Sequence, residues 1–358
     1  MKSFTTLFAA TTLLANTAMA ADITGLLNTL HGLNLTSLVG AATTVANTTG
    51  GARLLSLLEN NSSAITLFAP SNAAFAGVNP YFANDPVWLQ QALAYHVVPE
   101  SVDVDSIPTS PDNAIYPTAL NDPSVVKHFG EIPQYLGLVK AGNKTLITNQ
   151  NNWPCIVLKT TSYQNVLIHV ISTVIDLPPA MLDALTLPSY PWTANLTTLV
   201  ALSGTSSDSA IATSKDITIF APNNQAITDA ISHGRISSSP NATTVAALIS
   251  NHIVNGTILF TGKDQADYTS AGGETITFGK GGAFGYVVYY KGELVANVIQ
   301  GDIITQNGVL HIIDAVLPEF ETNGAAASSA WSSELAAATS TAPPAKRTLG
   351  NSRFFRRL

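Results

Sequence analysis

One cysteine in 358 residues leaves no partner for an intramolecular disulfide, so this chain must hold its fold by apolar burial. The lone thiol, Cys155, stands in the apolar run WPCIVLK; it packs there as a small hydrophobe or, alternatively, bonds to another chain. Charge is scarce as well, at 11% of residues. Between Asp22 and Glu319 ten basic residues stand against twenty-one acidic ones, a net of −11. An acidic body without clustered Lys or Arg excludes nucleic acid as a partner. No apolar run reaches the roughly eighteen residues that a membrane-crossing helix needs, so no transmembrane segment is expected.

Catalytic and metal-binding patterns are missing too. There is no Gly-x-Ser-x-Gly elbow, and nothing beside Cys155 lowers its pKa. No two histidines stand at i, i+2 or i, i+4, and none joins Cys or Glu in a zinc pattern. No metal, no cofactor and no catalytic residue is expected, although a site assembled only by the fold leaves no such trace. Asp103 and Asp105 alternate with Val102 and Val104, which reads as a strand with one wet face. The run Gly279-Lys280-Gly281-Gly282 precedes a strand and not a helix, so it reads as a hairpin turn, not a phosphate loop.

What the chain does have, it has twice. Thr66 to Phe75 reads TLFAPSNAAF, and Thr218 to Ile227 reads TIFAPNNQAI. About thirty residues after each comes a histidine, in YHVV (Tyr95 to Val98) and in NHIV (Asn251 to Val254). Each copy closes on an apolar stretch, NVLIHVISTVI from Asn165 and NGVLHIIDAVL from Asn307. Three blocks in one order, repeated, mean two homologous domains. Their four histidines, His96, His169, His252 and His311, sit inside apolar runs, where an isolated imidazole is more often a hydrogen-bonded core residue than a ligand.

Helical spacing of leucines opens the first domain, and runs rich in β-branched residues, punctuated by Asn, Gly and Pro, close it. The second repeats that order, so the fold class reads as α+β. Pro-rich sequence between Pro99 and Pro133 widens the first domain. Residues 1–20 read as a secretory signal, with Lys2, the apolar Leu7 to Leu14 and the cleavage site Ala18-Met19-Ala20. The domains are then 21–177 and 192–320, joined by a stiff Pro-rich linker at 178–191. An Ala/Ser/Thr-rich tail at 321–358 is expected to be disordered and ends in basic residues, with a dibasic Lys346-Arg347 open to a protease. Eight Asn-x-Ser/Thr sequons, at Asn34, Asn47, Asn60, Asn61, Asn143, Asn195, Asn241 and Asn255, agree with a secreted glycoprotein.

These blocks resemble the fasciclin-type domain, an extracellular module of adhesion proteins. The resemblance runs from about Ile23 to Pro318 and rests on Phe68-Ala69-Pro70 with Asn72, Phe220-Ala221-Pro222 with Asn223, Tyr95-His96, and Asn307 to Asp314. Asn251 stands where the pattern has Tyr, and Ser172 where the second domain has Asp314. The resemblance implies two tandem domains, each a β wedge or sandwich with several helices. It implies a non-catalytic binding, adhesion or scaffold role, with an extracellular protein or a cell-wall glycan as partner. Peptides near the family's Tyr-His position are implicated in adhesion, which singles out Tyr95, His96, Val97 and Val98. Read from the residues alone, Phe284, Tyr286, Tyr289 and Tyr290 could form a ligand face. Strand alternation points Tyr286 and Tyr290 one way and Tyr289 the other, so one side is expected to be core. Members that carry a glycolipid anchor need a hydrophobic tail, and FFRRL is not one, so a released protein is expected. Fungal relatives also accompany secreted oxidases in metabolite or pigment maturation, which makes an accessory to such an oxidase, or an unrecognised enzyme, the alternative.

Overall fold

Both copies of the repeated motif become strands buried at every position. The computed structural model describes residues 22–59, 63–148, 154–187, 193–202, 210–262, 264–282, 284–318 and 322–339. Residues 1–20, expected to be a secretory signal, together with Asn60, Asn61 and the basic end, lie outside the described residues.

In the first domain α1 (Ile23–Gly32), α2 (Thr36–Val45) and α3 (Thr49–Glu59) lead into β1 (Ile65–Pro70). There follow α4 (Asn72–Ala76), α5 (Pro80–Ala83), α6 (Pro86–Tyr95) and β2 (Val97–Val98). The meander β3 (Ala114–Pro117), β4 (Tyr135–Ala141), β5 (Lys144–Ile147), β6 (Cys155–Tyr163) and β7 (Val166–Ile171) completes a seven-stranded sheet, ordered β2-β1-β7-β6-β5-β4-β3.

The second domain repeats the plan with α7 (Met181–Ala184), α8 (Ala194–Leu202), α9 (Ala210–Thr213), β8 (Ile217–Pro222), α10 (Asn224–Ser232), α11 (Ala242–Asn251) and β9 (Ile253–Val254). Its own meander is β10 (Ala266–Thr269), β11 (Thr275–Lys280), β12 (Tyr286–Tyr290), β13 (Glu293–Thr305) and β14 (Gly308–Ile313). The strand order, β9-β8-β14-β13-β12-β11-β10, matches the first domain strand for strand. In each sheet the motif strand lies parallel to the last strand, β1 to β7 and β8 to β14, and the other neighbours are antiparallel. Such a strand, covered on both faces, reads as an unbroken apolar run.

Polar letters of the motif have local work. Thr66 Oγ1 donates to the Glu100 carbonyl at 2.8 Å and accepts from Val102 N at 2.9 Å, and Thr218 does the same with Thr257 and Leu259. Ser71 caps α4 and Asn223 caps α10 through the backbone N–H three residues on. The next residue accepts a backbone N–H at the start of a preceding helix: Asn72 from Ser37 at 2.9 Å, Asn224 from Asn195 at 2.8 Å. Ser71 and Asn223 thus share one role, and Asn72 and Asn224, which also align in the repeated block, share the next.

Within the stretch expected to be a stiff linker, α7 places Met181, Ala184 and the following Leu185 in the second core, because Met181 and Leu185, four apart, share one helix face. Two expectations need correction. Val102 to Asp105 is not a strand; Asp103 accepts the Asp105 N–H at 2.9 Å and closes a turn. The tail is not without structure, since Gly324–Thr339 forms α12. Asn323 caps it by accepting the Ala326 N–H at 3.1 Å, and alanine, the strongest helix former, supplies its body.

Loop lengths set the domains against each other. Between its third and fourth strands the first domain spends residues 118–134, where the second spends 270–274. That longer loop reaches the second domain. It is one part of the Pro-rich excess between Pro99 and Pro133.

Candidate functional site

The four repeated histidines are buried, and each ring is held at both nitrogens. His96 and His252 cap the ends of α6 and α11. His96 Nδ1 donates to the Ala92 carbonyl at 2.6 Å, while its Nε2 accepts the Ile175 N–H at 2.9 Å. His252 copies this with Leu248 at 2.7 Å and Leu317 at 3.0 Å. The ring thus ties a helix end to the segment leaving the last strand. Burial outweighs the helpful carbonyl and pushes both imidazoles down to about 4. A neutral ring with no spare lone pair neither shuttles protons nor binds a metal.

His169 and His311, on β7 and β14, behave alike. His169 bonds Thr160 Oγ1 and the Val102 carbonyl, each at 2.9 Å. His311 accepts the Asp302 N–H at 3.2 Å and donates to the Leu259 carbonyl at 2.7 Å. Burial lowers the pKa of both.

Tyr95, His96, Val97 and Val98, the residues that the resemblance singles out for binding, are all buried. Tyr95 spends its hydroxyl on the Tyr135 carbonyl at 2.8 Å, and burial, then the Asp176 charge, raises its pKa. In the second domain Asn251 fills that place by accepting from Ser270 Oγ at 2.9 Å. None of the four presents a side chain to a partner in this structure. Of the second aromatic group, Tyr286 and Tyr290 are buried, Tyr289 is half-buried and Phe284 is exposed. Cys155 is buried in the first core, and burial raises its thiol pKa. Among the described residues no cluster of His, Cys, Asp or Glu could hold a metal, and no helix is long and apolar enough to cross a membrane.

The fold brings together residues that stand far apart in the chain and belong to no motif. Where the domains meet, the His128 Nδ1–H donates to Asp216 Oδ1 at 2.6 Å, and Phe129 N donates to Asp216 Oδ2 at 3.1 Å. Lys127 N reaches the Gln306 carbonyl at 2.8 Å and Gln134 Nε2 the Thr305 carbonyl at 3.1 Å. A second group surrounds Asp302, which accepts from Asn113 Nδ2 at 2.8 Å, from Thr261 N at 2.8 Å and from the Thr261 hydroxyl. Beside it Asp112 takes Lys280 Nζ at 2.8 Å and the Tyr286 hydroxyl. Those two bonds outweigh the opposing effect of burial and hold the Asp112 carboxyl below its ordinary range. Ile115 of the first domain packs with Phe260, Ile304 and Val309 of the second, and Trp331 of α12 lies 5.9 Å from the Phe129 ring. Asp216 and Asp302 both have left-handed backbone, φ 51° and 55°, a conformation that Asp tolerates better than most residues. No motif or spacing flags them.

One aromatic surface stays open. Tyr81 is 76% exposed and Phe82 42%, and half-buried Trp88 lies 5.6 Å from Phe82, centroid to centroid. Pro80 and Pro86 open α5 and α6 and set these rings side by side.

The fasciclin domain model matches residues 40–178 and 194–319. Among curated proteins none matches the chain. A solved FAS1 domain pair from the insect cell adhesion molecule Fasciclin I is similar at 20% identity and a TM-score of 0.37, over 79% of this chain and 98% of that one. Two matches of the family model, together spanning most of the residues and each centred on one seven-stranded sheet, show that the chain belongs to the fasciclin domain family as a tandem pair.

Proposed function

We propose that this chain is a secreted, N-glycosylated, non-catalytic binding or scaffold protein whose two fasciclin domains work as one unit. The observation that carries the reading is a separation of roles. The repeated histidines are sealed in the cores, while Tyr81, Phe82 and Trp88 offer an aromatic face to solvent. Exposed aromatic groups of this kind mark contact surfaces. Exposed Asn79 and Asn84 flank the rings, and no Lys or Arg occurs between Arg53 and Lys127, which suits a neutral, hydroxyl-rich partner such as a wall glycan, or a polar protein surface. Asn34, Asn47, Asn143, Asn195 and Asn241 are exposed and Asn255 is half-buried, which supports glycan attachment.

Retention on insoluble wall glycan and on immobilised secreted proteins tests the surface. The double variant Tyr81→Ala/Phe82→Ala should weaken retention about tenfold with little change in melting temperature. Undiminished retention on both would remove the aromatic face from the account, and selective capture of a secreted oxidase would favour the accessory role. Secretion has its own check. The protein in the medium should start near Ala21 and lose mass with an N-glycosidase; a cell-retained chain that begins at Met1 and shows no mass change would refute this part.

A further inference from the structure

The exposed aromatic face lies in the most one-sidedly charged stretch of the first domain. Between Arg53 and Lys127 the chain carries seven acidic residues, from Glu59 to Asp122, and no basic one. Tyr81 and Phe82 are exposed there, with exposed Val87 and half-buried Trp88 after them. Asp85 stands in the chain between Phe82 and Trp88, whose rings are 5.6 Å apart, and caps α6 by accepting the Val87 N–H at 2.9 Å. Open rings and negative charge therefore share one surface. Of the Phe, Tyr and Trp rings that are exposed among the described residues, Phe284 alone lies elsewhere, four residues after Lys280.

The opposite composition follows α12. Residues 340–358, outside the described residues, hold Lys346, Arg347, Arg353, Arg356 and Arg357 and no acid, with Phe354 and Phe355 between arginines. Guanidinium groups settle over ring faces, and phenyl rings pack edge to face against other rings. The distance is short for such a segment. Trp331 of α12 lies 5.9 Å from Phe129, and the loop that holds Phe129 is bonded to α6. There Gln91 Nε2 donates to Asp122 Oδ2 at 2.9 Å and to Ser124 Oγ at 3.0 Å, three residues after Trp88 on the same helix. Nineteen residues extend to roughly 60 Å, about twice the width of a small domain.

We propose that residues 353–358, Arg-Phe-Phe-Arg-Arg-Leu, dock on the Tyr81–Phe82–Trp88 face of their own molecule and cover it. The tether raises the local concentration of the segment, so a contact too weak to hold a free peptide holds this one. The cover is removable. Hydrolysis of the Arg347–Thr348 peptide bond by a protease that reads dibasic pairs takes up one water and releases residues 348–358 with three of the five basic side chains. The face is then open to partners. This contact needs the rings and the basic segment but no external partner, so its failure leaves the binding role of the face untouched.

A nitroxide attached at Ser352→Cys in the purified full chain tests the proposal by NMR; Cys155 is buried and does not take the label. In low salt the Val87 methyl and Trp88 indole resonances should broaden, while the Val245 methyls in the second core should not. Raising the salt from about 0.01 M to about 1 M cuts the screening length from roughly 30 Å to roughly 3 Å and should remove most of the broadening. Changing Arg353, Arg356 and Arg357 together to Glu should remove it at any salt, and Tyr81→Ala/Phe82→Ala should weaken it. A soluble gadolinium chelate should broaden the Val87 methyls several-fold more in a chain that stops at Arg347 than in the full chain. Sharp resonances in low salt overturn the proposal, and so does broadening that survives the Arg→Glu changes. Broadening seen only when spin-labelled chains are mixed with isotope-labelled ones makes a second copy the occupant and overturns the contact within one molecule.

Discussion

Lowering the pH from 7 to 4 is expected to remove roughly 3 kcal/mol of stability for each of His96 and His252, one in each domain. Both imidazoles are fully buried and titrate near 4, against 6.5 for the free side chain. The unfolded chain therefore takes up the proton first. The stabilising contribution is complete above about pH 6.5 and is lost as the pH falls through 4. His169 and His311, lowered by the same cause, act in the same direction. Set against the 5–15 kcal/mol that typically separates folded from unfolded states, the sum is large. Urea midpoints at pH 7, 5.5 and 4 measure it. His96→Gln should cost about 1–3 kcal/mol at pH 7, since it strands the Ile175 N–H, and should also flatten the acid limb of the first domain. An unaltered acid limb in that variant would show that the imidazole is not the sensor.

Asp302→Ala is expected to cost about 3 kcal/mol and to loosen the two domains from each other. The carboxylate is fully buried and accepts from the Thr261 N–H, the Thr261 hydroxyl and the Asn113 amide. Removing it strands donors from both domains. Alanine at φ 55° adds strain, because a Cβ without a compensating polar group is disfavoured in the left-handed region. Scanning calorimetry of the wild type should give one cooperative transition; the variant should give two, with the second domain melting first. Asp302→Asn, which keeps the shape and one acceptor oxygen, should fall between them. A single transition at the wild-type temperature for Asp302→Ala would sink the view that this residue couples the domains.

Much of each domain could be read from the chain. Continuous apolar runs at Ile65–Pro70 and Ile217–Pro222 are strands buried on both faces, and Ser71 and Asn223 cap the helices after them. These features are local, set by backbone preference and by burial within a few residues. Core roles for the histidines were legible from their apolar neighbours, but their partners were not. Ile175 is seventy-nine residues from His96, a distance that no spacing rule spans. The tail misled because alanine-rich sequence carries no core-forming period, while its helix needs only propensity, a cap at Asn323 and a contact through Trp331.

By itself the sequence determined that there are two domains of one design, that apolar cores and no intramolecular disulfide hold them, and that their body is acidic. Those conclusions follow from repetition, composition and short-range periodicity, which are properties of the chain before it folds. Only the tertiary structure decided that Tyr95 to Val98 lie inside, that the 118–134 loop reaches the second domain through His128 and Asp216, and that Asp302 of the second domain meets Asn113 of the first. Each depends on groups distant in the chain meeting at a few ångströms. The strand order of each sheet and the lengths of its loops fix such meetings, and side-chain chemistry at any one position does not.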